Sequence, residues 1–263
     1  MGEVRNATET GVAGRRIYLL GTDRFGRDIL SRLLYGCRVS LVVGMLSVFL
    51  ALTLGVAVGS LAALGGRLVD AVLMRGVDAV LAFPSLFLLL ALAAFFRPGT
   101  WIIVVILGST TWPLISRLAR AEILSLKTRD FIVAARSIGL SPLAVWLRHL
   151  LPNALTSVMV QAVLLVGQLI LAESALSFLG LGIQPPTPSW GNMVAEGREA
   201  LRFAWWVAAF PGAAIALAVI AFNLLGDGLR DWLDPRTLRG FRTTDFLAPG
   251  GWTGGRERER SRR

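Results

Sequence analysis

Five apolar stretches, residues 39–64, about 77–96, about 101–118, about 154–179 and about 205–225, dominate this chain of 263 residues. Each approaches or exceeds the roughly 20 apolar residues that carry a helix across a bilayer core. Hydrophobic residues make up 54% of the sequence and the mean hydropathy is +0.64, more than a water-soluble domain of this length needs. The expected fold is therefore all-α: a polytopic integral membrane protein with about five transmembrane helices. Gly55 and Gly59 place small residues one turn apart on the first stretch, where a neighbouring helix can come close. Pro84 and Pro113 are expected to kink or start spans. The single cysteine, Cys37, excludes an internal disulfide framework and reads as a small filler.

The net charge of +10 is carried almost wholly by arginine, since Lys127 is the only lysine. It lies between and after the apolar stretches, which points to orientation in a bilayer rather than to nucleic acid. Arg67 and Arg75 follow the first stretch. Arg117, Arg120, Lys127, Arg129, Arg136 and Arg148 follow the third, and a run from Arg230 to Arg263 follows the fifth. The opposite loops hold only Arg97, Arg198 and Arg202. By the positive-inside rule the basic side, including the loop at 125–152 and the C-terminus, faces the cytoplasm. The chain then divides into an N-terminal segment (1–38), a transmembrane domain (39–225) and a basic cytoplasmic tail (226–263) whose Gly-rich, charge-alternating end reads as solvated. One feature opposes this orientation: residues 1–38 hold seven arginines yet should lie outside. The first 20 residues contain no apolar core for a signal peptide, so the first insertion signal is a retained span.

The basic loop carries its own pattern, "DFIVAARSIGLSPLAVWLRHLLPN". Asp130 is placed as a helix cap, followed by Phe131, Ala134, Ala135 and Ile138 at helical spacing, with Arg129 and Arg136 off that face. Gly139 stands where a helix ends in a left-handed residue. Ser141 and Pro142 restart a helix whose apolar face is Leu143, Trp146, Leu147 and Leu150, and Pro152 opens the next span. Lipid headgroups, the chain's own spans or a grooved cytoplasmic partner can each cover such faces. The Ala134–Ala135 pair suits a cleft, because small side chains let a helix sink in.

The segment "AARSIG…HLLP" resembles the coupling loop of binding-protein-dependent ABC importer permeases, whose pattern is E-A-A, three residues, G, then I-x-L-P. Ala134, Ala135, Gly139, Leu151 and Pro152 match, whereas Val133 replaces the glutamate and His149 the isoleucine. "LGTDRFGRDILSRLLYG" (20–36), "ESALSFLGLGIQPPTPSWGNM" (173–193) and "FNLLGDGLRDWLDPR" (222–236) resemble the dipeptide, oligopeptide and nickel subfamily, most closely the second permease of a peptide system. The resemblance covers about residues 20–236 and implies a type I importer permease core. It implies a loop docked on an ATP-hydrolysing subunit through Asp130, Phe131, Ala134, Ala135, Arg136, Gly139 and Pro152. The implied partners are a homologous permease, two cytoplasmic ATPases that hold ATP and magnesium, and an extracytoplasmic binding protein, all in a bacterial or archaeal cell membrane. Members of the subfamily usually carry one more span before the GTD segment, which is absent here.

No cofactor site is expected in this chain: Lys127 has no glycine pair before it to make a phosphate-cradling loop. A lone histidine, His149, excludes a two-histidine zinc motif, and its place beside Arg148 in the basic loop speaks against catalysis. Glu173, deep in the fourth stretch, marks either a translocation pathway or a carboxylate serving backbone freed near Gly180 and Gly182. Gln161 and Gln168, seven residues apart with Ser157 one turn earlier, either line a polar route or join helices, and Asn223 shares that ambiguity. Trp190, Trp205 and Trp206 suit the membrane interface. The rival readings are a nickel or other small-solute permease, an ATP-independent channel or secondary transporter, and a scaffold without transport.

Overall fold

The computed structural model describes residues 18–96 and 99–233. Arg97, residues 1–17 and most of the basic tail, from residue 234 onward, lie outside them. The described chain is helical: α1 (Ile29–Leu64), α2 (Gly66–Leu81), α3 (Ser85–Phe95), α4 (Thr100–Lys127), α5 (Asp130–Ser137), α6 (Pro142–Val145), α7 (Leu151–Phe178), α8 (Trp190–Arg198) and α9 (Trp206–Leu233). A π-helical turn, Trp146–Leu150, joins α6 to α7 without a break. Among the described residues the only β-pairing is an isolated bridge between Thr22 and Asp28.

Four helical runs are long and apolar enough to span a bilayer: α1, α4, the 37-residue run Pro142–Phe178, and α9. The second apolar stretch is not one helix, in keeping with the kink or start expected at Pro84. It covers the end of α2 and all of α3, a pair bent by 83°. Pro84 cannot donate to a helical ladder and sits at the cap of α3, so the helix breaks there. Pro113, by contrast, lies inside α4.

The order of contacts shows that this bent pair returns the chain across the bundle. Gly108 meets Leu50, Ile115 meets Gly55, Ala119 meets Gly59, and Lys127 Nζ donates to the carbonyl of Ala63 (2.8 Å). Residue numbers rise together, so α1 and α4 run parallel, and the segment between them must cross back. The glycine pair read from the sequence makes this seam possible. A Cβ on Gly59 would lie 2.5 Å from the carbonyl oxygen of Ser116, and one on Gly55 would lie 2.5 Å from Cβ of Ile115. Only a bare Cα allows that approach. α7 then runs antiparallel to α1, with Ile170 against Gly44, and α9 antiparallel to α7, with Val219 against Gly167. Val43, Ile103, Leu107, Ile115, Val158 and Ile170 form the core between them.

Tyr18–Asp28 and α8 therefore lie at one end of the bundle, and α5, α6 and the end of α9 at the other. The helix boundaries differ from the hydropathy reading in one direction. α1 starts at Ile29 rather than residue 39, and α9 runs to Leu233 rather than residue 225. Helices of 36 and 28 residues exceed the ~20 needed for the hydrocarbon core, and their polar turns project beyond it.

Candidate functional site

The loop between α4 and α7 is built by its own capping chemistry. Gly139 has φ +87°, which lets the N–H of Leu140 reach back to the carbonyl of Ala135 (3.3 Å) and that of Gly139 to Arg136 (2.9 Å). Two residues on, Ser141 Oγ accepts the N–H of Ala144 (3.3 Å), with Pro142 in the first turn of α6. Both expectations hold. Asp130 does not cap: Arg129 occupies the cap position, and Asp130 is the first residue of α5, where its charge favours the helix dipole.

The face of α5 also differs from the expected one. Ile132 and Ala135 turn inward and pack with Val145, Leu150, Ala154, Ala63 and Ile123. Phe131, Ala134 and Ile138 point away from the chain, with Ile138 79% exposed. On the second helix Val145 and Leu150 are buried and Trp146 is half-buried, while Leu143 and Leu147 are exposed. The reason is that α5 is apolar all round: Phe131, Ile132, Val133, Ala134 and Ala135 are consecutive. Periodicity cannot choose between two apolar faces, so the covering surface of α1 and α4 decides. Arg136 is exposed and lines a groove of about 510 Å³ with Leu64, Lys127, Leu140 and Trp146. Pro152 is exposed in the first turn of α7.

At the opposite end Glu173 is fully buried on α7. Ser177 Oγ donates to its Oε1 (2.7 Å), and Ser40 and Ser174 hydroxyls lie 3.4 and 3.5 Å from Oε2. The same serines accept backbone N–H groups beyond the helix end: Ser177 Oγ from Ile183 (3.0 Å) and Ser40 Oγ from Trp190 (3.3 Å). The carboxylate thus serves the freed backbone through hydroxyls, and joins α1, α7 and the start of α8. Asn192 completes the joint, its amide donating to the carbonyls of Ile183 (3.2 Å) and Thr187 (2.8 Å). The indole N–H of Trp190 donates to the carbonyl of Leu33 (3.1 Å), so this tryptophan is a buried fastener rather than an interface anchor.

A polar network that hydropathy did not reveal closes this end. Asp23 accepts the N–H groups of Phe25 and Arg27 (both 2.9 Å), Arg27 Nε (2.7 Å) and Arg32 Nη1 (2.7 Å). Glu196 of α8 accepts from Arg27 (2.6 Å) and twice from Arg32 (2.6 and 3.0 Å), and Arg24 pairs with Glu199. Burial works to raise the pKa of Asp23, but the Arg27 N–H, the Arg27 guanidinium and the Phe25 N–H together hold it below the ordinary aspartate value. Three of the arginines that weighed against an outer N-terminus are thereby paired with acids. The i, i+4 spacing of Asp23 and Arg27 was the available signal.

Gln161 lines a cleft of about 470 Å³ between α4, α7 and α9. Gln168 and Asn223 are exposed, and Glu173 shares neither the cleft nor their exposure.

The chain shares this fold with solved ABC importers. A chain of the MetNI methionine ABC transporter, in inward-facing conformations, superposes with a TM-score of 0.64 at 19% identity, covering 78% of this chain and 98% of that one. A chain from the crystal structure of an amino acid ABC transporter with histidines gives a TM-score of 0.57 at 16% identity, over 80% and 94%. In sequence, the di/tripeptide transport system permease protein DppC of Pseudomonas aeruginosa (strain UCBPP-PA14) is 44% identical over 223 residues, 85% of this chain and 74% of DppC. The profile of the family described as "Binding-protein-dependent transport system inner membrane component" matches residues 55–239. With that match, and a helical bundle of importer-permease fold beneath it, the chain belongs to the inner-membrane components of binding-protein-dependent transport systems and is a multi-pass transport permease, not an enzyme.

Proposed function

We propose that this permease forms half of the translocation pore of an ATP-driven peptide importer, paired with a homologous permease, two cytoplasmic ATPases and an extracytoplasmic binding protein. The peptide assignment draws on the 44% identity to DppC. ATP and its magnesium belong to the ATPases. The observation that carries the coupling role is the outward row of α5 and α6: Phe131, Ala134, Ile138 and Leu143 are exposed on a loop whose other face is pinned to α1 and α4. A rigidly backed apolar row with a small residue at its centre suits the cleft of a motor domain. ATPase closure then pushes on Asp130 and Phe131, Arg136 engages the rim, Gly139 keeps the turn, and Ala135 and Pro152 pass the motion to α4 and α7. The loop and the C-terminus face the cytoplasm. Of the polar residues on the spans, Gln161, Gln168 and Asn223 remain pathway candidates, whereas Glu173 is assigned a fastening role.

The test is the ATPase response of the purified complex. Ala134→Trp should uncouple hydrolysis from binding protein and peptide while leaving the permease folded, because Ala134 faces outward. ATPase subunits should copurify with the tagged native permease. Transport by this chain alone, or a complex whose stimulation ignores both Ala134→Trp and Gly139→Pro, overturns the proposal.

A further inference from the structure

The groove between the ends of α1 and α4 and the α5–α6 loop is chemically one-sided. Its lining holds two cations, Lys127 and Arg136, and no acid, over apolar walls that include Leu64, Leu140, Leu143 and Trp146. The cleft beside Gln161 instead mixes Glu122, Asp227 and Arg230, and the pocket beside α2 matches Asp70 with Arg120 and Asp78 with Arg117. Lys127 is half-buried and donates to the carbonyl of Ala63 (2.8 Å), which fixes the ammonium at the groove and leaves its remaining donors for something else. The indole N–H of Trp146 is buried without an acceptor among the described residues, the kind of deficit that a bound oxygen atom makes good.

The groove also has a definite depth. Exposed Arg38 precedes the apolar run of α1, and Leu64 follows it by 26 residues, roughly 39 Å at the helical rise. A hydrocarbon core is about 30 Å thick and a bilayer with its headgroups about 40–45 Å. Leu64 and the groove therefore lie at the level of the headgroups. From the groove an apolar row climbs the span: Leu64, Leu61, Ala57 and Leu54 share one face of α1, and all four are exposed.

We infer that this groove seats one anionic phospholipid, its phosphate between Lys127 and Arg136 and an acyl chain along Leu64, Leu61, Ala57 and Leu54. Two cations without an acid select a negative headgroup over a zwitterionic one. The row that continues up α1 favours a lipid over a cytoplasmic protein, which could fill the groove but could not follow the span into the bilayer. Of the outward row offered to the ATPase, only Leu143 borders the groove, so the two surfaces lie side by side. The orientation proposed above makes this the inner leaflet. The inference otherwise depends on neither the peptide reading nor the coupling role.

The experiment uses the whole importer in nanodiscs of equal parts phosphatidylcholine and phosphatidylglycerol, with a trace of phosphatidylglycerol that carries a photoactivatable group on one acyl chain. After irradiation, peptide mapping should place the label on α1 between Leu54 and Leu64. Raising the share of unlabelled phosphatidylglycerol should remove the label, and raising that of phosphatidylcholine should not. Lys127→Gln should lower labelling about fivefold, the effect of one cation at a charged membrane surface, and Lys127→Arg should restore it. Leu64→Glu, at an exposed position, sets a carboxylate against the phosphate and should lower labelling likewise if Lys127→Gln does not assemble. Labelling that ignores these changes, that phosphatidylcholine removes equally well, or that spreads evenly onto α9 overturns the inference. Capture of an ATPase subunit by a photo-crosslinker at Leu140, with no lipid label on α1, overturns it in favour of a protein occupant. The result separates from the functional reading: loss of the label with ATPase coupling intact removes the lipid and keeps the importer, and the reverse keeps the lipid and removes the coupling role.

Discussion

The two ends of the bundle are held by opposite chemistry. At the α8 end a buried carboxylate, three serines, Asn192 and a set of arginine–carboxylate pairs tie together segments more than 130 residues apart in sequence. At the α5 end an ion pair, Asp70 with Arg120, fastens α2 to α4, but the loop itself is held by an apolar cluster, two capping turns and one lysine–carbonyl bond, and one apolar face is left bare. A polar joint fixes angle and register, because each bond has a direction. An apolar joint fixes proximity and tolerates rotation. The first end has the more directional joint, and the second keeps the bare face on which the proposed coupling rests.

The largest blow to that contrast should come from Arg32→Ala. Arg32 is little exposed and bonds both Asp23 and Glu196, so its loss leaves Arg27 as the one counter-charge shared by two carboxylates. About 3 kcal/mol of stability should be lost, read as a lowered Tm in detergent, with a larger loss than any single truncation on the outer face of α5. Next comes Ala135→Trp, which forces bulk into the cluster under α5, where Ala135 is 6% exposed. A cost of about 1–3 kcal/mol is expected from overpacking. Ala134→Trp, one residue away, should stay within about 0.5 kcal/mol of native while abolishing ATPase coupling. If the two tryptophans destabilise equally, the division of α5 into a backed face and a bare face is wrong. Ser141→Ala removes one cap and should cost about 1 kcal/mol, measured by denaturant titration. The smallest effect is that of mild acid. The pKa of Asp23 is lowered in the fold, so its contribution is complete above the ordinary aspartate value of about 3.9 and lost as pH falls through the depressed one. Unfolding midpoints between pH 5 and 8 should therefore not report this group. A loss of the α8 joint at pH 5 would mean that Asp23 is not held as described.

Much of this was legible in the sequence where the signal is local. Gly139, Ser141 and Pro142 carry their own backbone instructions, and the four straight spans follow from apolar length. What failed to show depends on distant partners. Residues 29–38 contain Arg32 and Arg38, so hydropathy ends the first span at residue 39, yet the helix continues because Asp23 and Glu196 meet the charge of Arg32. The 83° bend needs the packing of α2 on α4 through Asp70 and Asp78 as well as Pro84. For Glu173, two serines at i+1 and i+4 were visible, but Ser40 lies 133 residues away, and without it the fastening role could not be separated from a pathway.

The unbroken passage from α6 through the π-helical turn into α7 sets what kind of motion is open to this molecule. The run of 37 residues is a beam about 55 Å long. It is riveted to α1 near both tips, through Ala63 beneath α5 and through Ser40 beside Glu173. Two beams joined at both tips swing as one frame. α9 is clasped to that frame where Val219 meets Gly167 and Leu164 meets Gly226, yet only 17% of its apolar window is buried, so its outer flank is the broadest surface the bundle offers to lipid or to another subunit.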